Sequence, residues 1–288
     1  MKQRKSQRGT GGRYPHRNCM ETLSVDTLLP QLEALLPQAA GTASLAFDGD
    51  GTLWKGDIGE DFLHAMIEAG DIRPVAVDAM RAVARQAGLA VPDRDAGVAV
   101  VRRLFDAYIA HQLAEDVICE VITWMCAGWR AEEVDRFAVE VLARRAFATR
   151  GHVELSRVLE WARGAGLRTF LVSASPRPIV EAAGAQLGFE ARDILAVTAA
   201  VDAFGVVRPE VVRPLPYGPG KASLLATRLA QEGGGALLAA FGDNVFDVPM
   251  LEAAELPVVV DPKPRLLAHL AEHSLRGLRS NVVRLIVS

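Results

Sequence analysis

The sequence predicts an α/β protein. A parallel sheet is covered by helices on both faces and is interrupted after its first strand by an all-helical insert. Three observations carry this. Short apolar runs at 167–172, 237–241 and 257–260 alternate with helical stretches from about 151 onward, the pattern of strands buried on both faces. Between 58 and 148 the apolar residues keep helical spacing and no strand stands out. The chain has 288 residues, 50% of them hydrophobic, enough for one large core or two smaller ones.

Taken in order, the first eighteen residues hold Lys2, Arg4, Lys5, Arg8, Arg13 and Arg17 and no acid, and lack the apolar centre of a secretory signal. Residues 1–20 are therefore expected to be a disordered basic tail. Leu23, Leu28, Leu32 and Leu36 predict a helix over 20–36. A strand at 43–48 follows. Helical spacing continues through 62–67, 75–87, 98–114, 117–126 and 134–146, broken at Gly70, at 88–92 and at Gly128. A helix through Leu155, Val158, Leu159 and Trp161 ends at Gly164 and Gly166. A strand over 167–172 then leads to a helix opened by Pro176, with Ser175 as its cap. Residues 194–207 read as a β-ribbon. A helix follows Gly220, then a strand at 237–241, a helix at 245–254 and a strand at 257–260. The run Val282, Val283, Leu285 and Ile286 is either an added strand or a contact surface. The expected division is 21–54 with 151–288 as one domain and 55–150 as a helical one.

Net charge is -3 and the pI about 6.1, so neither a nucleic-acid nor an anionic-membrane partner is expected. No apolar run reaches spanning length. Three cysteines (Cys19, Cys119 and Cys126) are an odd number at no metal-ligand spacing. They read as thiols in a reducing, cytoplasmic setting.

The first strand runs into Asp48-Gly49-Asp50-Gly51-Thr52. Two carboxylates this close repel, so a nearby cation is expected, and a hard one such as magnesium suits oxygen ligands. A calcium loop fails on spacing, because Leu53 and Gly59 stand where that loop needs its glycine and its glutamate. In open parallel sheets ligands lie beyond the carboxyl ends of the strands. The second such end carries Ser173-Ala174-Ser175. The 237–241 strand ends in Gly242-Asp243-Asn244-Val245-Phe246-Asp247. Between them Lys221 follows Gly218-Pro219-Gly220, which is not a nucleotide P-loop, since Leu215 and Ala222 break the motif.

The conjunction of these four motifs, in this order, resembles the haloacid-dehalogenase-like hydrolases over about 43–54 and 151–265. The helical insert looks like the cap of their phosphoserine-phosphatase-like members. Many of those follow the serine with two glycines, where this chain has Ala174 and Ser175. They often carry Asn before the last aspartate, where it has Phe246. The resemblance implies a three-layer Rossmann-like sheet and a magnesium-dependent phosphomonoesterase acting on a small phosphorylated metabolite. Phosphoserine, a phospho-amino-alcohol and phosphocholine all remain open as its substrate. By the same resemblance Asp48 is the nucleophile and becomes an aspartyl phosphate, and Asp50 is the acid and base. Lys221 offsets charge. Ser173, Ala174 and the following N–H groups hold phosphate. Asp48, Asp243 and the carbonyl of Asp50 bind Mg2+, with Asp247 behind them.

Asp57, Glu60 and Asp61 are candidates to meet a substrate ammonium group. Trp54, Trp124 and Trp129 are either a cage for one or core, and Arg102 and Arg103 candidates for a substrate carboxylate. A phosphomutase using the same intermediate, and a catalytically idle regulatory protein of this fold, are the alternatives. A homodimer stays open.

Overall fold

The computed structural model describes residues 20–36, 43–92, 96–273 and 282–288. The expected basic tail, Met20 apart, and Cys19 lie outside the described residues.

The first elements among the described residues are β1 (Glu21–Leu23), α1 (Val25–Leu35) and β2 (Ala43–Phe47). Five helices follow: α2 (Ile58–Ala69), α3 (Pro74–Gln86), α4 (Gly97–Ile109), α5 (Glu115–Trp124) and α6 (Ala131–Arg144). Then come α7 (Val153–Gly164), β3 (Arg168–Pro176), α8 (Arg177–Gln186), β4 (Ile194–Val197), β5 (Ala199–Val201) and β6 (Val207–Val211). The last elements are α9 (Pro219–Gln231), β7 (Ala236–Gly242), α10 (Val248–Glu252), β8 (Leu256–Val260), α11 (Pro264–Glu272) and β9 (Val283–Leu285).

Seven strands form one sheet in the order β1-β9-β8-β7-β2-β3-β4, with every neighbouring pair parallel. β2 lies between β3 and β7, which explains its unbroken apolar run: both faces are covered. Alternate residues go to opposite cores. Leu45, Phe47 and Phe241 join Leu28 and Leu32 of α1, Leu155 of α7 and Ile179 of α8. Ala46, Phe170 and Ala240 join Leu225 of α9, Met250 and Leu251 of α10 and Leu266 of α11. Phe47 and Phe241 stack across neighbouring strands, centroids 4.5 Å apart. No helix among the described residues is long and apolar enough to cross a membrane.

Three local expectations are corrected, and the alternative left open for the C-terminal run is resolved. Residues 21–23 are a strand rather than the first turn of a helix, because β9 offers Val283, Arg284 and Leu285 as backbone partners. The C-terminal apolar run is thus an added strand, held between β1 and β8. The segment 194–197 belongs to the main sheet beside β3, and the ribbon is instead β5 with β6. Its Val207 exchanges backbone hydrogen bonds with Gly128 and Trp129, both 2.9 Å, which ties it to the turn between α5 and α6. Finally, β3 continues to Pro176, so Pro176 rather than Ser175 precedes α8.

The strand before the helical block and the segment after it run side by side. Lys55 N donates to Arg150 O at 2.9 Å and His152 N to Leu53 O at 3.2 Å. Arg150 also pairs with Asp61 of α2. Both chain crossings are therefore fixed next to the end of β2.

Candidate active site

The carboxyl ends of β2, β3 and β7 converge on one cleft. Asp48 follows β2, Ser175 is the last residue but one of β3, and Asp243 follows β7. Lys221 comes from the first turn of α9. The glycines around them are required sterically. A Cβ on Gly51, whose φ is +80°, would collide with the Asp243 carboxylate, and one on Gly220 with the Leu215 carbonyl. Gly49 leaves room for the Trp54 ring, which a Cβ would approach to 2.6 Å.

Lys221 is the hub of the floor. Its Nζ donates to Asp48 Oδ1 at 2.5 Å and to Asp247 Oδ1 at 2.6 Å, and its side chain is only 4% exposed. Burial works against its charge, but Asp247 and Asp48 together hold the ammonium well above its ordinary range. Asp247 is satisfied on its other oxygen by the N–H groups of Asp243 and Asn244, at 3.1 and 2.9 Å. Lys263, just beyond β8, donates to Asp243 Oδ2 at 3.0 Å. Asp48 takes a further bond from Thr52 Oγ1 at 3.2 Å.

Burial, followed by repulsion from Asp247, pushes the Asp48 carboxyl up to about 7 against the pull of Lys221. Asp243 is likewise raised to about 7, by burial and then by Asp48. Ligand oxygens of Asp48, Asp243 and Asp247 lie within 4.8 Å of one another. Four carboxylates, counting Asp50, face two ammonium groups, Lys221 and Lys263. The two negative charges in excess, the all-oxygen donor set and the burial fit a divalent hard cation.

Asp50 has a different environment. Its Oδ1 accepts from Trp54 Nε1 at 2.9 Å and from Ile58 N at 2.7 Å, and its Oδ2 from Ser175 Oγ at 2.7 Å. No cation touches it among the described residues. Burial and then the nearby Asp57 raise it to about 6, while these hydrogen bonds hold it down.

Ser173 is fully buried. Its Oγ accepts from Ser175 N at 3.1 Å and lies 3.5 Å from Asp50 Oδ2. Ala174 lines the cleft, as do Asp57 and Glu60 from the start of α2. Asp57 Oδ1 caps that helix by accepting from Glu60 N at 2.9 Å. Asp61 is turned to Arg150 and Arg145. Trp54, Trp124 and Trp129 are buried and none of the three lines the cleft. Arg102 and Arg103 are on the exposed side of α4.

Sequence reasoning did not find the hold of Trp54 and Ser175 on Asp50, nor Lys263. For Lys263 a signal was present: it lies in the short segment after Val260, a strand end like those that pointed to the other groups. Helices α4 and α5 roof the cleft with Phe105, Tyr108 and Glu115, and Tyr217 and Phe246 close its side. About 90 Å³ is left free. This is far below the roughly 300 Å³ or more of a drug-sized pocket.

The fold and site define an α/β protein with a buried acidic cleft at the carboxyl ends of its parallel strands. The chain belongs to the haloacid dehalogenase-like hydrolase family, whose model matches residues 45–252. The "Inhibition of morphological differentiation protein" of Streptomyces azureus is 31% identical over 139 residues. That match covers 48% of this chain and about half, 49%, of that protein's length. Among solved structures, a protein of unknown function from Bordetella pertussis Tohama I aligns with TM-score 0.64 at 20% identity, covering 85% of this chain and 99% of that one. A haloacid dehalogenase family hydrolase from Salmonella enterica serovar Typhi aligns at 0.52 with 16% identity, over 83% and 73%. A phospho-aspartyl intermediate analogue of phosphoserine phosphatase aligns at 0.50 with 16% identity, over 86% and 94%. At these identities the likeness to solved structures is one of fold.

Proposed function

We propose that this chain is a magnesium-dependent phosphomonoesterase that passes the phosphoryl group of a small metabolite through Asp48 to water. The observation that carries this is the contrast between two aspartates two residues apart in one cleft. Asp48 is bonded to an ammonium and belongs to a carboxylate cluster. Asp50 is held by neutral donors and raised to about 6. One suits a nucleophile, the other a proton carrier working near neutral pH.

A carboxylate oxygen of Asp48 attacks phosphorus in line with the leaving oxygen. As the bond to that oxygen breaks, Asp50 gives it a proton and the alcohol leaves. Asp50 then takes a proton from water as the water attacks the phosphorus. The Asp48–phosphorus bond breaks, and inorganic phosphate and the starting carboxylate result. Lys221 balances the charge of Asp48 during both steps. Ala174 shapes the wall next to the phosphate, and Ser173, buried behind it, accepts from the Ser175 N–H. Asp48, Asp243 and the Asp50 carbonyl would hold Mg2+, which supplies positive charge to the phosphate oxygens. Asp247 fixes Lys221 and the turn after β7. Helices α2–α6, within 55–150, serve as the cap that closes over the site and excludes water.

Hydrolysis of p-nitrophenyl phosphate in MgCl2 and in excess EDTA tests this reading. Turnover that persists undiminished in the chelator overturns it. A pH dependence follows as well. The folded-state carboxyls of Asp48 and Asp243 titrate above their ordinary value of 3.8. They therefore favour the folded chain fully below that value and withdraw the support as pH rises toward about 7. A cation needs both ionised. Mg2+ is thus expected to raise Tm clearly at about pH 8 and little at about pH 5, and equal shifts at both would contradict the assignment.

Ser175 supplies a second check. Its hydrogen bond lowers the Asp50 pKa, so Ser175→Ala raises it. The alkaline limb of the kcat/KM profile, set by loss of the Asp50 proton, is expected to move to higher pH. An unmoved limb would remove Asp50 from the role of acid.

A further inference from the structure

The roof and side of the cleft differ in chemistry from its floor. Glu60 of α2 and Glu115 of α5 face the space, together with Phe105 and Tyr108 of α4 and with Tyr217 and Phe246. Tyr217 and Phe246 pack ring on ring, centroids 4.4 Å apart and planes 34° apart. Phe105 and Tyr108 lie 5.9 Å apart. No ion-pair partner stands within reach of Glu60 or Glu115 among the described residues. Burial raises the Glu115 carboxyl, and the charges of Lys263, Arg265 and Lys221 draw it back down. Burial and then the charge of Glu115 push the Tyr108 hydroxyl up to about 12, and that of Tyr217 upward too.

The positive side chains lining the cleft are Lys221 and Lys263. Each is already bonded to floor carboxylates. Arg265 lies over the Phe246 ring at 5.2 Å and does not line the space. A substrate carboxylate placed under the roof would thus meet two glutamates, with Lys221 and Lys263 held by floor carboxylates and Arg265 outside the lining. An ammonium group would meet opposite charge and aromatic faces, both of which attract it.

We propose that this site takes a phosphomonoester of an alkylammonium alcohol that bears no carboxylate. Its phosphate lies on the Asp48–Lys221 floor, and its cationic head rests against Glu60 and Glu115 beside Tyr108, Tyr217 and Phe246. The proposal rests on the phosphatase reading and narrows its substrate. Rejection comes from the same groups as attraction, because a like charge against Glu115 disfavours the amino-acid ester.

The test measures kcat/KM for phosphoethanolamine, phosphocholine, phosphoserine and ethyl phosphate, with p-nitrophenyl phosphate turnover taken on the same protein. The better of the two alkylammonium esters is expected to exceed both phosphoserine and ethyl phosphate by about tenfold or more. In Glu115→Gln the ratio of phosphoethanolamine to ethyl phosphate is expected to fall by about tenfold. Glu60→Gln gives the same reading if Glu115→Gln does not fold. Preference for phosphoserine, above all one lost in Arg265→Ala, overturns the proposal and leaves the phosphatase reading intact. So does an unchanged ratio in both glutamine variants. Absence of p-nitrophenyl phosphate turnover in the parent protein overturns the phosphatase reading, and the proposal with it.

Discussion

Asp48→Asn is expected to lower turnover of any phosphomonoester by at least about 10⁴-fold, the scale on which loss of a covalent nucleophile acts. The fold should survive the change. The amide has the shape of the carboxylate and its oxygen can still accept from Lys221 Nζ, now 2.5 Å from Asp48. Substitution also removes a charge that burial and Asp247 disfavour, so Tm without added metal should stay level or rise. The assay is steady-state hydrolysis beside a thermal melt of the same preparation. Comparable turnover by both proteins would take Asp48 out of the chemistry. Loss of activity together with a collapsed melt would show a structural role instead.

Lys221→Met is expected to act on stability as strongly as on rate. The lysine is buried and bonds two carboxylates at once. Removing it leaves Asp48 and Asp247 facing each other with no ammonium between them. Breaking a buried ion pair from one side costs about 3–5 kcal/mol, so Tm should fall by on the order of 10 °C for a chain of this size. Saturating MgCl2 should recover part of the loss, because a cation bound by the same carboxylates restores opposite charge. A Tm within about 2 °C of the parent protein would mean that Lys221 does not balance this cluster.

The sheet was legible because its strands are local in sequence and apolar on both faces. Leu45-Ala46-Phe47 and Leu237 to Phe241 state burial on two sides without any partner being known. β1 was not legible. Three residues, Glu21 to Leu23, carry too little pattern of their own, and the strand exists because β9 pairs with it from the far end of the chain. The helical reading of Leu23 came from spacing alone. The ribbon was displaced for a similar reason: Ile194–Val197 has the apolar content of a core strand, and its neighbour β3 decides the sheet it joins.

In the site, the motif residues converge as their order along the strand ends suggested. The groups that tune them were hidden by their chemistry. Trp54 reads as an aromatic that packs, yet its N–H holds Asp50. Ser175 reads as a helix cap, but the extra length of β3 turns its hydroxyl to the same carboxylate. Asp57 reads as a ligand for an ammonium group, and its side chain caps α2. Periodicity reports which face a residue occupies; it does not report where a single polar atom ends.

A covalent bond between phosphorus and Asp48 is the central step of the proposed reaction. Rapid acid quench of the protein during turnover of p-nitrophenyl phosphate, followed by borohydride reduction and peptide mass spectrometry, reads that bond. An acyl phosphate at position 48 is converted to homoserine, and the account predicts homoserine there, absent when substrate is omitted. Sustained turnover with Asp48 recovered unmodified, or with the mark on another carboxylate, would contradict it.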